Sequence, residues 1–218
     1  SRYRASIHDC GGAMDYFGAR PEAKRVLLMP GSRKQEVLSL LDVMLESGER
    51  LLQSHEDVQF FLPRAHTIER SELEAFISER KVPVTITEDH TYDLMQICDV
   101  CLAASGTATL ETAMMELPTV LLYKVSPITY GIGKMVVNLT HVGLPNIVAG
   151  KEVIPELLQD DVSVDAIVNT VLPLLDDLQV NQRMRSELRS VRDKLGEPGA
   201  VNRVAQLIYN LGKENIDE

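Results

Sequence analysis

Short apolar runs alternate with stretches of helical periodicity along most of this chain. Val26-Leu27-Leu28-Met29 is the first run, and Pro30-Gly31 closes it; this is the look of a buried strand. Behind it, Val37, Leu41, Met44, Leu45, Gly48, Leu51 and Leu52 fall on one face at 3.6-residue spacing, with charged residues opposite. The alternation then repeats: strand 58–62 ended by Pro63, helix 68–80, strand 84–87 and short helix 92–97. Strand 99–102, helix 107–116 and strand 119–122 follow. Apolar strands separated by helices predict an α/β fold, a parallel sheet with helices on both faces. Right-handed crossovers make such a sheet Rossmann-like and doubly wound.

The two ends differ from this middle. Residues 1–24 carry little periodicity and include Gly11-Gly12 and Gly18, so they read as a leader or interdomain linker before a domain at 25–218. Toward the other end, 164–175, 180–195 and 200–211 read as additional C-terminal helices. Pro173 and the turn Gly196-Glu197-Pro198-Gly199 interrupt them, and Gly212 is placed to stop the last. The polar tail 213–218 is expected to fray.

Composition narrows the function classes. With 44% hydrophobic and 25% charged residues the chain has the make-up of an ordinary globular domain. A net charge of −10 argues against nucleic acid, which needs a basic face. A single diphosphate is still admissible, because backbone N–H groups and one or two cations suffice to hold it. Cys98 and Cys101 form a C-x-x-C without a second pair or a histidine at ligand spacing. They are expected to be buried apolar side chains and not a metal site. No apolar run is long enough for a bilayer and no signal peptide is apparent, which together predict a cytoplasmic chain. The apolar stretch 128–139, with Met135, Val136 and Val137, fits a core-facing helix or a segment touching lipid. His8, His55, His66, His90 and His141 lack partners at metal or triad spacing. Asp89-His90 and Asp160-Asp161 read as solvated loop charges.

In a doubly wound sheet, ligands bind beyond the carboxyl ends of the strands, and three segments there or nearby carry chemistry. After the first strand, Gly31 permits close backbone approach, Ser32 can cap the next helix, and Arg33 offers a fork of donors. An ordinary strand-to-helix turn with a solvated arginine fits the same residues. The second segment runs from Ala104 to Glu111. Gly106 stands where a helix begins, so the N–H groups of Thr107 and Ala108 would meet an anion with the helix dipole behind them. Ser105 and Thr107 add hydroxyls, and Glu111, one turn inside, could accept two ribose hydroxyls. A capped helix whose glutamate complements the dipole is the alternative. The third is Leu144-Pro145-Asn146, where Asn146 could face a ligand or close an Asx turn on its own backbone.

Three strings, in order, resemble the lipid-A-disaccharide synthase family: Leu28 through Arg33 with Glu36-Val37, Ala104 through Glu111 with Pro118 and Tyr123-Lys124, and Leu144 through Gly150 running on to Pro155-Glu156-Leu157-Leu158-Gln159. The resemblance covers roughly residues 25–210. It implies the C-terminal, donor-binding half of a two-domain GT-B glycosyltransferase, with the acceptor domain and its general base absent from this chain. The implied reaction transfers 2,3-diacylglucosamine from UDP to 2,3-diacylglucosamine 1-phosphate (lipid X) with inversion, without metal or other cofactor. By motif, Ser105, Gly106 and Thr107 would hold the diphosphate and Glu111 the ribose. Gly31, Ser32, Arg33, Asn146 and Gln159 would complete the donor pocket. Implied partners are UDP-2,3-diacylglucosamine, a lipid acceptor reached through the other domain, the cytoplasmic face of the inner membrane, and a second copy exchanging C-terminal elements. A chain of this kind alone is expected to be inactive. Rival readings are another GT-B enzyme, such as a UDP-GlcNAc epimerase or the peptidoglycan lipid glycosyltransferase, and a non-catalytic nucleotide-binding or dimerisation module.

Overall fold

The structure, a computed structural model, describes residues 9–55, 57–124 and 141–196. Six strands form one sheet: β1 (Lys24–Met29), β2 (Val58–Pro63), β3 (Val84–Thr87), β4 (Val100–Ala104), β5 (Thr119–Tyr123) and β6 (Glu156–Leu158). Every pairing is parallel and the order is β3-β2-β1-β4-β5-β6. Five of the strands lie where the apolar runs predict them. The sixth is three half-buried residues with no run to announce it.

Alternation within the strands supplies both faces of the sheet. Val26, Leu28, Phe60, Leu62, Val100, Leu102, Val120 and Leu122 point one way, into a core shared with α2 (Lys34–Ser54), α3 (Arg70–Ser78) and α7 (Val164–Asp176). Leu27, Phe61, Cys101 and Ala103 point the other way, against α1 (Cys10–Phe17) and α4 (Thr91–Ile97). On that second face, Leu121 packs with α5 (Thr107–Met114), α6 (Leu144–Ala149) and α8 (Leu178–Gly196). Chain reversal explains the split. Crossovers running from β1 toward β3 place α2 and α3 on one face, and those running from β3 back toward β6 place α4, α5 and α6 on the other.

Three expectations change. Of the stretch expected to be a leader or linker, Cys10–Phe17 is a helix. Asp9 caps it by accepting from Gly12 N at 2.7 Å, and Ala13 and Phe17 bury against the sheet's second core. Pro173 does not interrupt a helix but lies in the last turn of α7, where only one backbone hydrogen bond is forfeited. Leu144-Pro145-Asn146 is not a loop but the first turn of α6, with Pro145 at a position where a missing N–H costs nothing. The expected helix 200–211 and the apolar stretch 128–139 lie outside the described residues.

Helix α8 ties the lower edge of the sheet together. Arg185 donates from Nη1 to Glu116 O at 3.1 Å, from Nη2 to Cys98 O at 3.2 Å and from Nε to Asn181 Oδ1 at 2.8 Å. Asn181 in turn donates to Asp99 O and Leu174 O. Cys98 and Cys101 are both buried and free, and burial pushes both thiols well above the ordinary cysteine range. Among the described residues, no helix is long and apolar enough to cross a membrane.

Candidate functional site

Between β1 and β4 the sheet's crossovers leave to opposite faces, and the loops after these strands diverge. The gap is a cleft of about 610 Å³ at the carboxyl ends of the strands. Gly31, Ser32 and Arg33 line it from the β1 side. Ser105, Gly106, Thr107 and Glu111 line it from the β4 side. Seven residues singled out in the sequence therefore converge from two segments about seventy positions apart.

On the β4 side the backbone turns sharply. Gly106 is the N-cap of α5 with φ 141°, and a Cβ there would meet nothing, so conformation and not space demands glycine. No side chain caps the helix. Its first N–H groups therefore open on the cleft with the positive end of the dipole behind them. Thr109 and Thr112 are buried and turn their hydroxyls back onto Gly106 O and Thr109 O, so the first turn is braced from within. Glu111 lines the cleft one turn on, and no partner holds its carboxylate among the described residues. Partial burial raises its pKa above the ordinary carboxylate range.

Ser32 does not do what its spacing suggested. Helix α2 begins at Lys34 with Arg33 as N-cap and no side-chain cap bond, while the Ser32 carbonyl accepts from the Thr67 hydroxyl. The loop after β2 thereby fastens to the loop after β1.

Asn146 is corrected more fully. It is completely buried in α6, and its amide is spent on the protein: Nδ2 donates to Ile154 O at 2.8 Å and Glu156 Oε1 at 2.7 Å. Its Oδ1 accepts from Val153 N at 2.7 Å and Ile154 N at 2.9 Å. The Glu156 carboxylate also accepts from Val142 N and Gly143 N at 2.9 and 2.8 Å, capping α6 from the neighbouring strand. Gly143 is needed for closeness, since a Cβ there would meet Leu121 Cδ1 at 2.9 Å and Glu156 Oε1 at 3.0 Å. Asn146 fills all its hydrogen-bonding positions as a backbone clamp, which removes it from the cleft wall. Gln159 begins the turn after β6 at φ 51° and also lies off that wall.

No motif announces the third wall. Arg64 and Ala65, after β2, and Thr91 and Tyr92, opening α4, line the cleft on the β2–β3 side. Arg64 Nε donates to Glu88 Oε2 at 2.8 Å, Nη2 lies 2.7 Å from the same oxygen, and Nη1 donates to Ile68 O at 2.7 Å. Hydrogen bonding from Arg64 holds the Glu88 carboxyl below its ordinary range. A single arginine after a strand carries no motif; only the sheet order brings it to the cleft.

Comparison with protein families matches residues 13–209 to lipid-A-disaccharide synthetase. The chain is 42% identical over 203 residues to the lipid-A-disaccharide synthase of Geobacter sulfurreducens, covering 93% of this chain and 53% of that protein. It is 38% identical over 201 residues to that of Nitrosococcus oceani, covering 92% and 52%. It spans about half the length of the curated relatives it matches. Its fold is similar to that of Anabaena HepE in complex with UDP-glucose, with a TM-score of 0.62 and 14% identity over 97% of this chain and 54% of the other. WaaG, a glycosyltransferase involved in lipopolysaccharide biosynthesis, matches with a TM-score of 0.57 and 14% identity over 90% and 50%.

Proposed function

Because the chain belongs to the lipid-A-disaccharide synthase family, whose members are glycosyltransferases of lipid A biosynthesis, we propose that its cleft binds the UDP-sugar donor. The observation that carries this reading is the start of α5. Uncapped N–H groups of Thr107 and Ala108 open on the same cleft as Glu111, one turn further along the helix, whose carboxylate no other described residue holds. That spacing suits a diphosphate at the helix end and ribose hydroxyls at Glu111.

The proposed reaction transfers 2,3-diacylglucosamine from UDP to 2,3-diacylglucosamine 1-phosphate. The acceptor hydroxyl attacks the anomeric carbon from the face opposite the UDP, the bond to the diphosphate oxygen breaks, and the configuration inverts. Charge grows on the diphosphate as that bond lengthens. Fixed N–H dipoles and the Arg33 guanidinium stabilise this charge more than they stabilise the ground state. Removing the proton of the acceptor hydroxyl needs a base, and none is assigned to the described cleft. We place it on the half of the relatives that this chain does not span. Contact with the inner membrane's cytoplasmic face and a homodimer exchanging C-terminal elements belong to the same proposal.

Asn146 enters this scheme by holding backbone, not by touching donor. Gln159 rests on the family resemblance, and Gln159→Ala in the titration below reads its contribution.

Calorimetric titration with UDP, with ADP as control, tests the reading. UDP is expected to bind more tightly than ADP, and Glu111→Ala to weaken it about 10- to 100-fold, the scale of a lost hydrogen bond to a charged group. Indifference to Glu111→Ala would remove the ribose assignment. Equal affinity for UDP and ADP would remove the uridine donor. No disaccharide is expected from this chain alone; metal-independent turnover by it would overturn the division of labour.

A further inference from the structure

The diphosphate and ribose assignments occupy the α5 side of the cleft and leave the opposite wall unused. That wall carries Arg64, on the loop that follows β2, and Tyr92, in the first turn of α4 after β3. Arg64 lines the cleft and is held firmly. Its side chain is 19% exposed, and Glu88 and the Ile68 carbonyl hold three of its nitrogens. Glu88 is itself steadied by Arg70 at 3.2 Å. The Arg64 backbone N–H donates to Thr87 O at 2.8 Å, so main chain and side chain are both fastened to the β3 end.

A guanidinium has five N–H donors and no acceptor. Two are spent on Glu88 Oε2 and Ile68 O, and Nη2 lies against the same carboxylate. No other partner takes the remainder among the described residues. The Glu88 carboxylate already offsets the positive charge. What Arg64 offers the cleft is therefore a rigid donor edge more than a net charge. Such a group suits a neutral carbonyl oxygen better than a phosphate, which the helix end and Arg33 can serve.

We infer that Arg64 is the residue that reads the nucleobase, donating to the C4 carbonyl oxygen of uracil. This rests on the donor-binding reading above and assigns its base specificity. Cytosine carries an amino group at the corresponding position, as adenine does on its pairing edge, and a donor-only guanidinium facing an amino group leaves two buried donors opposed. Sites built to pair a specific polar group reject analogues lacking it, because the site's own group is left unsatisfied. The Tyr92 ring supplies the flat apolar surface that a base needs beside such a contact.

The test is calorimetry of UDP, CDP and pyrophosphate against the unmodified chain, Arg64→Met and Arg64→Lys, with urea midpoints to confirm folding. The unmodified chain is expected to favour UDP over CDP. Arg64→Met should weaken UDP about tenfold or more while leaving pyrophosphate within about twofold, so that the UDP-to-CDP ratio collapses. Arg64→Lys keeps the charge but loses the planar fork; it should keep pyrophosphate binding and lose the base preference, which covers the case of a poorly folded methionine variant. Equal losses for UDP and pyrophosphate would overturn the inference in favour of a phosphate contact. An unchanged UDP-to-CDP ratio would also overturn it. Failure of the unmodified chain to bind UDP would be seen before any variant and would sink the donor-site reading itself.

Discussion

Glu111 is held in a state that suits a ligand better than it suits the free protein. Its carboxyl lies above the ordinary carboxylate range because burial at the cleft wall penalises the charge, with no donor among the described residues to offset it. Ribose hydroxyls would donate to the ionised form, so binding should favour deprotonation. UDP affinity is therefore expected to fall as pH drops through the folded pKa, with a proton released on binding in that range. Glu111→Gln should flatten the profile. For stability the sign is the reverse of the usual carboxylate. With the folded pKa raised, the ionised group destabilises the fold above that pKa, so Glu111→Gln at neutral pH should unfold at the same or higher urea while binding UDP more weakly. Urea melts beside the titrations check this. A variant losing stability and affinity together would show that Glu111 is structural.

Elements give a different lesson, and α6 with β6 is the clearest case. Asn146→Ala would strip the buried N–H groups of Val153 and Ile154 of their acceptor, with an expected loss of about 3 kcal/mol in urea unfolding. Asn146→Asp would set a second carboxylate against Glu156, now 2.7 Å from the amide nitrogen, so one of the two must take a proton. That variant should regain stability as pH falls, relative to the unmodified chain, and the same melts at pH 7 and pH 5 would show it. On the lower edge, Arg185→Met leaves Cys98 O and Glu116 O without their guanidinium donors and should cost about 2–3 kcal/mol.

The sequence is legible in such elements only where burial is one-sided or complete. Strands β1, β2, β4 and β5 are interior and carry runs of buried apolar residues, β3 at the edge alternates Val and Ile with Thr, and α2 is long enough to show a stripe, so all stand out by pattern alone. Helix α1 escapes because its eight residues include two glycines and bury chiefly Ala13 and Phe17. Strand β6 escapes because an edge strand of three half-buried residues has no period to display. Seven cleft residues were legible because glycine, hydroxyl and charge follow a strand in a tight string. Arg64 was not, because its role comes from β2 lying next to β1, a fact of strand order. Asn146 was misplaced because an asparagine that satisfies buried backbone looks, in sequence, like one that waits for a ligand.

At the scale of the whole molecule, the cleft belongs to no single segment. Residues near 31, 64, 91 and 106 meet only because β1 pairs with both β2 and β4, which joins Val26 to Val100 and Phe60. A ligand that recognises this assembly and not the unfolded chain stabilises the entire domain. UDP at a hundred times its dissociation constant should add about 2.7 kcal/mol to the unfolding free energy. The added stability should appear in the urea midpoint without a change in slope.

The order of the strands also fixes when the site can exist. β1 is made before its second neighbour, β4, which lies more than seventy residues downstream. Until that pairing closes, one wall of the cleft has no floor to stand on. Long-range parallel pairing is slow to form, so a nucleotide bound at this cleft would have nothing to grip before β4 is paired and could not act as a folding template for β1 to β3. On the donor-binding proposal, nucleotide would act instead as a latch on the finished sheet, slowing its opening once β4 has slid into place.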